Sequence, residues 1–127
     1  KVRLFGEYDG YGPGEHTRDF IYVKDVVKVN FYFWEHPEIS GIFNCGTGHA
    51  HQFNTLAKGV LKHFGSGELE YVPFPEVLKG KYQSFTQADT ANLLAAGYDG
   101  GFTPIEDAIA EYCALLDKTG GYYVYER

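Results

Sequence analysis

The chain has 127 residues, 44% of them hydrophobic and 17% aromatic, which is enough apolar material for one modest core. A formal net charge of −6, with no Lys/Arg run, excludes a nucleic-acid backbone as the main partner, because counterion release needs a basic face. No apolar stretch approaches the roughly 18 residues that span a bilayer, and no basic-then-apolar leader opens the chain, so no membrane partner is expected and the expected location is cytoplasmic.

The elements alternate between strand and helix. Lys1 to Phe5 reads as the end of a strand, and Gly6 to Thr17, punctuated by Gly10, Gly12, Pro13 and Gly14, reads as a loop. Phe20 to Val23 is a predicted short strand. Asp25 then caps a predicted helix over Val26 to Glu35, with Val26, Val29, Asn30 and Phe33 on one face and His36-Pro37 ending it. Gly41 to Cys45 reads as a strand, Gln52 to Phe64 as an amphipathic helix stopped by Gly65, and Glu68 to Phe74 as a further strand. Asp89 caps a helix over Thr90 to Ala96. Thr103-Pro104-Ile105-Glu106 has the form of a capping box with proline at the first helical position, which predicts a helix over Pro104 to Asp117. Gly120 to Arg127 reads as a weakly ordered tail. Methionine is absent and the chain starts Lys1-Val2-Arg3, from which a longer native protein is expected.

Several motifs invite chemical readings. "FNCGTGHAHQF" places Gly46 and Gly48 between a predicted strand and helix, as in a dinucleotide-binding loop, but the third glycine of that fingerprint would fall at His51. A tight turn is the competing reading. His49 and His51 alternate without a third metal ligand at loop or helical spacing, so no metal is expected. Cys45 and Cys113 read as small buried hydrophobes rather than a disulfide or a nucleophile. "KGKYQSFTQAD", Lys79 to Asp89, is a polar segment with little periodicity, material suited to a binding site or to a solvated connection. Arg18 closes the glycine-rich loop, where its guanidinium can reach a phosphate or a sugar hydroxyl, while Asp19 and Asp25 can satisfy backbone donors at element ends.

"RDFIYVKDVV" resembles the Arg-Asp-Phe-x-Tyr-Val-x-Asp-Val segment of extended short-chain dehydrogenase/reductases that act on nucleotide sugars, the NAD-dependent epimerase/dehydratase family, and "GIFNCGTG" resembles the strand that follows it there. "YVPFPEVLKGKYQSFTQADTANLLAAGYDGGFTPIEDAIAEY" is similar to the C-terminal portion of the ADP-L-glycero-D-manno-heptose 6-epimerase family. The resemblance implies an α/β fold, with the last strands of a Rossmann-type sheet and a small α/β substrate-binding domain. Residues 1–119 would form the C-terminal substrate-binding region and residues 120–127 the tail.

It also implies an NADP cofactor bound by an N-terminal Rossmann domain that is absent from these residues, an ADP-heptose substrate and a homo-oligomer. The implied reaction inverts C6 of ADP-D-glycero-D-manno-heptose, a precursor of the lipopolysaccharide core, by hydride removal to NADP and return to the opposite face of a 6-keto intermediate. No tyrosine here is followed four residues later by lysine, so the family's catalytic pair is not in this chain, which by itself is expected to be inactive. What carries over is substrate binding: Arg18 and Tyr82, with Phe5, Gly6, Glu7 and Tyr8 as a substrate-contacting turn. Other nucleotide-sugar epimerases or dehydratases, and a non-catalytic sugar-nucleotide-binding module, are the alternative readings.

Overall fold

The structure, a computed structural model, describes residues 1–121; the end of the expected tail, residues 122–127, lies outside the described residues. Strand β1 (Val2–Phe5) pairs in parallel with β4 (Leu69–Val72), Val2 opposite Leu69 and Phe5 opposite Val72. A parallel pair cannot close through a hairpin. The connection contains β2 (Thr17–Arg18), α1 (Val23–Glu35), β3 (His51–Gln52) and α2 (Phe53–Phe64), and β2 pairs antiparallel with β3. A short 3₁₀ turn (Glu76–Leu78), α3 (Ala91–Ala95) and α4 (Ile105–Lys118) follow. Among the described residues, no helix is long and apolar enough to cross a membrane.

Two hydrophobic clusters hold these elements together. Val29 of α1, Leu93 of α3 and Tyr98 are buried, with Tyr32, Phe33, Phe43 and Phe102 packed around them. Ile105, Ile109 and Cys113 of α4 meet Phe20, Leu56 and Val60 in the second. Gly59 lets α2 and α4 approach closely, since a Cβ there would lie 2.8 Å from Ile109 Cδ1.

Helix α2 ends as expected, at Gly65 in the left-handed conformation (φ 64°), and at α3 the Asp89 carboxylate accepts the Ala91 N–H at 3.0 Å although Thr90, not Asp89, occupies the capping position. Other expectations are corrected. Phe20 to Val23 is not a strand; the ladder lies just before it, at Thr17–Arg18, and Phe20 spends its apolar ring on Phe53 and the second cluster instead. Residues 41–45 run without a ladder partner among the described residues, Ile42 is 92% exposed and Cys45 is exposed, so only Cys113 behaves as a core thiol. Asn30 is exposed rather than on the packed face of α1.

The caps are also rearranged. Helix α1 begins at Val23, which moves Asp25 from the cap into the first turn. Buried Asp25 accepts hydrogen bonds from the Thr103 N–H (2.7 Å), the Thr103 hydroxyl (3.0 Å) and Lys28 Nζ (2.8 Å). Asp25 takes the Thr103 N–H that Glu106 would have accepted, the capping box expected with Glu106 does not form, and α4 starts from Pro104 without a side-chain cap. A buried carboxylate on α1 replaces it, tying the two helices together.

Candidate functional site

The backbone entering β2 is extended and fixed against the start of α2: the Phe53 N–H donates to His16 O (3.1 Å) and the Asn54 N–H to Gly14 O (3.0 Å). Along extended backbone, side chains alternate, which sets His16 and Arg18 on one face and Thr17 on the other. Both converge on Tyr82. The His16 ring meets it edge-on at 5.3 Å between centroids, and the Arg18 guanidinium carbon lies 4.8 Å from its ring centre and 5.8 Å from that of Phe53. These are cation–π separations.

Beside them opens a cleft of about 210 Å³ lined by Leu4, Phe5, Gly14, His16, Phe53 and Tyr82, and by Arg3, which Glu70 holds at 3.1 Å. Phe5 contributes from the end of β1, with its ring 5.2 Å from Phe74 and 6.0 Å from Tyr82. Tyr8 stacks on Phe74 at 4.0 Å, and its hydroxyl accepts the Gly80 N–H at 2.6 Å. Gly6 continues the β1–β4 ladder through a 2.7 Å bond to Val72 O, where a Cβ would sit 3.1 Å from that oxygen. Glu7 is exposed and borders a separate shallow depression with Tyr8 to Gly12. The structure therefore brings together Phe5, Arg18, Tyr82 and, through Phe74, Tyr8; it leaves Glu7 apart and gives Gly6 a backbone role. Arg3, His16 and Phe53 were not singled out in the sequence. Of these only His16 carries a readable signal, two residues before Arg18 in an extended stretch.

Arg18 makes no ion pair with a carboxylate among the described residues; its Nη1 donates to Thr17 O at 2.7 Å. The neighbouring Asp19 is fully engaged elsewhere. Its Oδ1 accepts from the Thr47 N–H (2.8 Å) and hydroxyl (2.5 Å), and its Oδ2 from the Gly48 N–H (2.9 Å) and the Ala88 N–H (3.1 Å). Gly46 allows this approach, because a Cβ there would strike Ala88 and lie 2.8 Å from Asp19 Oδ2, and Gly48 needs its φ of 75°. The amides that a cofactor phosphate would need are thus filled by a carboxylate. The glycine turn is structural, and it does not fit the diphosphate of a dinucleotide. His49 Nδ1 lies 3.1 Å from Thr47 O, and among the described residues no three His, Cys, Asp or Glu side chains are placed to hold a metal ion.

Burial alone would raise the Asp19 pKa, but the donors from Thr47, Ala88 and Gly48 outweigh it and hold the carboxyl below its ordinary 3.8. A carboxylate with a depressed folded pKa contributes stability that is fully present above the unfolded value, about pH 4, and is lost as pH falls through the folded value. Acid titration followed by unfolding should therefore show a loss that begins near pH 4. Asp19→Asn should be less stable at pH 7 and show a shallower acid loss; an unchanged acid limb would contradict this role.

The sequence profile of the NAD dependent epimerase/dehydratase family matches residues 2–46. Solved structures are similar over nearly the whole chain. ADP-L-glycero-D-manno-heptose-6-epimerase from Helicobacter pylori is 26% identical with a TM-score of 0.72, over 92% of this chain and 33% of that one. UDP-glucose 4-epimerase from Thermotoga maritima, solved with UDP-glucose, is 27% identical with a TM-score of 0.72, over 94% of this chain and 35% of that one. UDP-glucose 4-epimerase from Bifidobacterium longum, in complex with NAD+ and UDP, shares the fold at 22% identity with a TM-score of 0.75, over 95% of this chain and 36% of that one. The fold is thus the α/β fold of extended short-chain dehydrogenase/reductase epimerases. The chain spans about a third of the length of the solved structures it matches.

Proposed function

We propose that residues 1–119 form the substrate-binding part of an NADP-dependent epimerase that converts ADP-D-glycero-D-manno-heptose to ADP-L-glycero-D-manno-heptose in the cytoplasm, acting as a homo-oligomer. NADP and the proton-transfer groups would be supplied by a Rossmann domain outside these residues. The observation that carries this reading is Arg18, whose guanidinium lies over Tyr82 beside an aromatic cleft without a carboxylate partner among the described residues. A planar, unneutralised guanidinium suits diphosphate oxygens, which it can grip through two parallel hydrogen bonds. Tyr82 would donate its hydroxyl to the diphosphate or the sugar. Phe5 would offer an apolar wall, Tyr8 would hold Phe74 in place, and the Gly6–Glu7 backbone would set the turn.

The likeness to the Helicobacter pylori enzyme supports an ADP-linked heptose. The similar likeness to the Thermotoga maritima enzyme favours, as a second reading, a UDP-linked hexose. Incubating the complete protein with NADP and either ADP-D-glycero-D-manno-heptose or UDP-glucose, and reading the epimer by NMR, separates them. Turnover of the heptose alone is expected, and turnover of UDP-glucose alone would replace the first reading with the second. The 127-residue chain by itself should give no epimer with either compound, because it lacks the Tyr-x-x-x-Lys pair.

A further inference from the structure

The cleft contains one group that nothing above uses. His16 is 1% exposed, and its Nε2 is buried without a hydrogen-bond partner. The ring is caged by aromatic neighbours: Tyr11 stacks at 5.5 Å, Phe74 lies at 5.7 Å and Tyr82 meets it edge-on at 5.3 Å. A phenyl ring would fill such a cage without leaving a buried polar atom unpaired, an arrangement that costs folding stability. His16 also lines the cleft and shares with Arg18 both a face of the extended backbone and a contact to Tyr82.

We propose that His16 is a specificity-determining residue of this site, whose Nε2 takes a hydroxyl of the ligand's heptose or hexose while Arg18 takes the diphosphate. This rests on the nucleotide-sugar reading above. A hydroxyl suits the position because it can donate to or accept from an imidazole nitrogen, so either tautomer is served. An anion does not suit it. The faces of the surrounding rings carry negative partial charge, and enclosure among them would strip a phosphate of water. Nε2 is sealed from solvent without ligand, so binding must turn the imidazole or move one of the rings around it, among which Tyr82 also touches Arg18.

Calorimetric titration of the complete protein with ADP-D-glycero-D-manno-heptose, UDP-glucose, and ADP and UDP, which keep the ribose but lack the heptose or hexose, tests this. His16→Phe keeps the packing and removes the nitrogen. It should weaken binding of whichever nucleotide sugar the wild type holds by roughly threefold to tenfold, the worth of one hydrogen bond, leave binding of the matching nucleoside diphosphate unchanged, and melt no lower than the wild type. His16→Gln should recover part of the sugar affinity. Equal loss for the nucleotide sugar and the nucleoside diphosphate, or no loss for either, would overturn the assignment. So would a clear fall in melting temperature for His16→Phe, which would mean that an internal partner, such as a trapped water, satisfies Nε2. A wild type that binds none of the four compounds would overturn the nucleotide-sugar reading itself, and this inference with it.

Discussion

Replacing Asp25 by alanine should cost about 2–4 kcal/mol of folding stability, because it removes the charged acceptor of a buried network and strands the Thr103 donors. Asp25 is fully buried and takes both the N–H and the hydroxyl of Thr103, 78 residues away, together with exposed Lys28. Burial alone would raise its pKa, but the hydrogen bonds from Lys28 and Thr103 outweigh it and hold the carboxyl below 3.8. Its contribution is therefore complete above about pH 4 and fades as pH falls through the lower folded value. Asp25→Asn keeps the shape but turns one acceptor into a donor facing Thr103, so it should recover only part of the loss. Lys28→Ala should cost under about 1 kcal/mol, since its ammonium is largely in water. Urea unfolding of the four proteins checks this; equal midpoints for wild type and Asp25→Ala would remove Asp25 as the tie between α1 and α4.

Changing Arg18 to lysine should lower kcat/KM of the complete protein roughly tenfold to hundredfold, equivalent to losing a charge-assisted hydrogen bond worth about 1.5 to 3 kcal/mol. Lysine keeps the charge but has neither the planar fork nor the flat face that lies over Tyr82. On the function proposed above, the effect should fall on substrate, with affinity for the proposed NADP cofactor and unfolding nearly unchanged. A purely structural Arg18, bracing Thr17 O and the Phe53 and Tyr82 rings, would behave differently: the same change would lower the melting temperature and weaken both ligands together. Measuring substrate affinity, NADP affinity and thermal unfolding on one preparation separates the two. Unchanged substrate affinity would take Arg18 out of the site.

Local punctuation made the end of α2 and the start of α3 legible. Gly65 stops α2 in the left-handed conformation that glycine adopts cheaply, and Asp89 serves the first amide of α3 from two residues away. The misreadings occur where a partner distant in sequence decides the outcome. Thr103 has the spacing of a capping residue, yet Asp25 claims both its donors. Phe20 to Val23 is apolar enough for a strand, but a strand also needs a ladder, and only Thr17–Arg18 finds one, against His51–Gln52. Arg18 could be singled out from its place at the end of a glycine-rich loop, whereas Tyr82, in an aperiodic polar segment, is singled out only by the family resemblance. Their meeting could not be read from spacing, since 63 intervening residues separate them (18 to 82). His16 was not singled out because its aromatic neighbours Tyr11, Phe74 and Tyr82 and its unpartnered nitrogen appear only in the folded structure.

A crystal structure of the complete protein with ADP-D-glycero-D-manno-heptose tests the central claim most directly. Diphosphate oxygens should lie within hydrogen-bond reach of the Arg18 guanidinium, with the ligand against Phe5 and Tyr82. A ligand ordered elsewhere, with this cleft empty and Arg18 still resting on Tyr82, would contradict it.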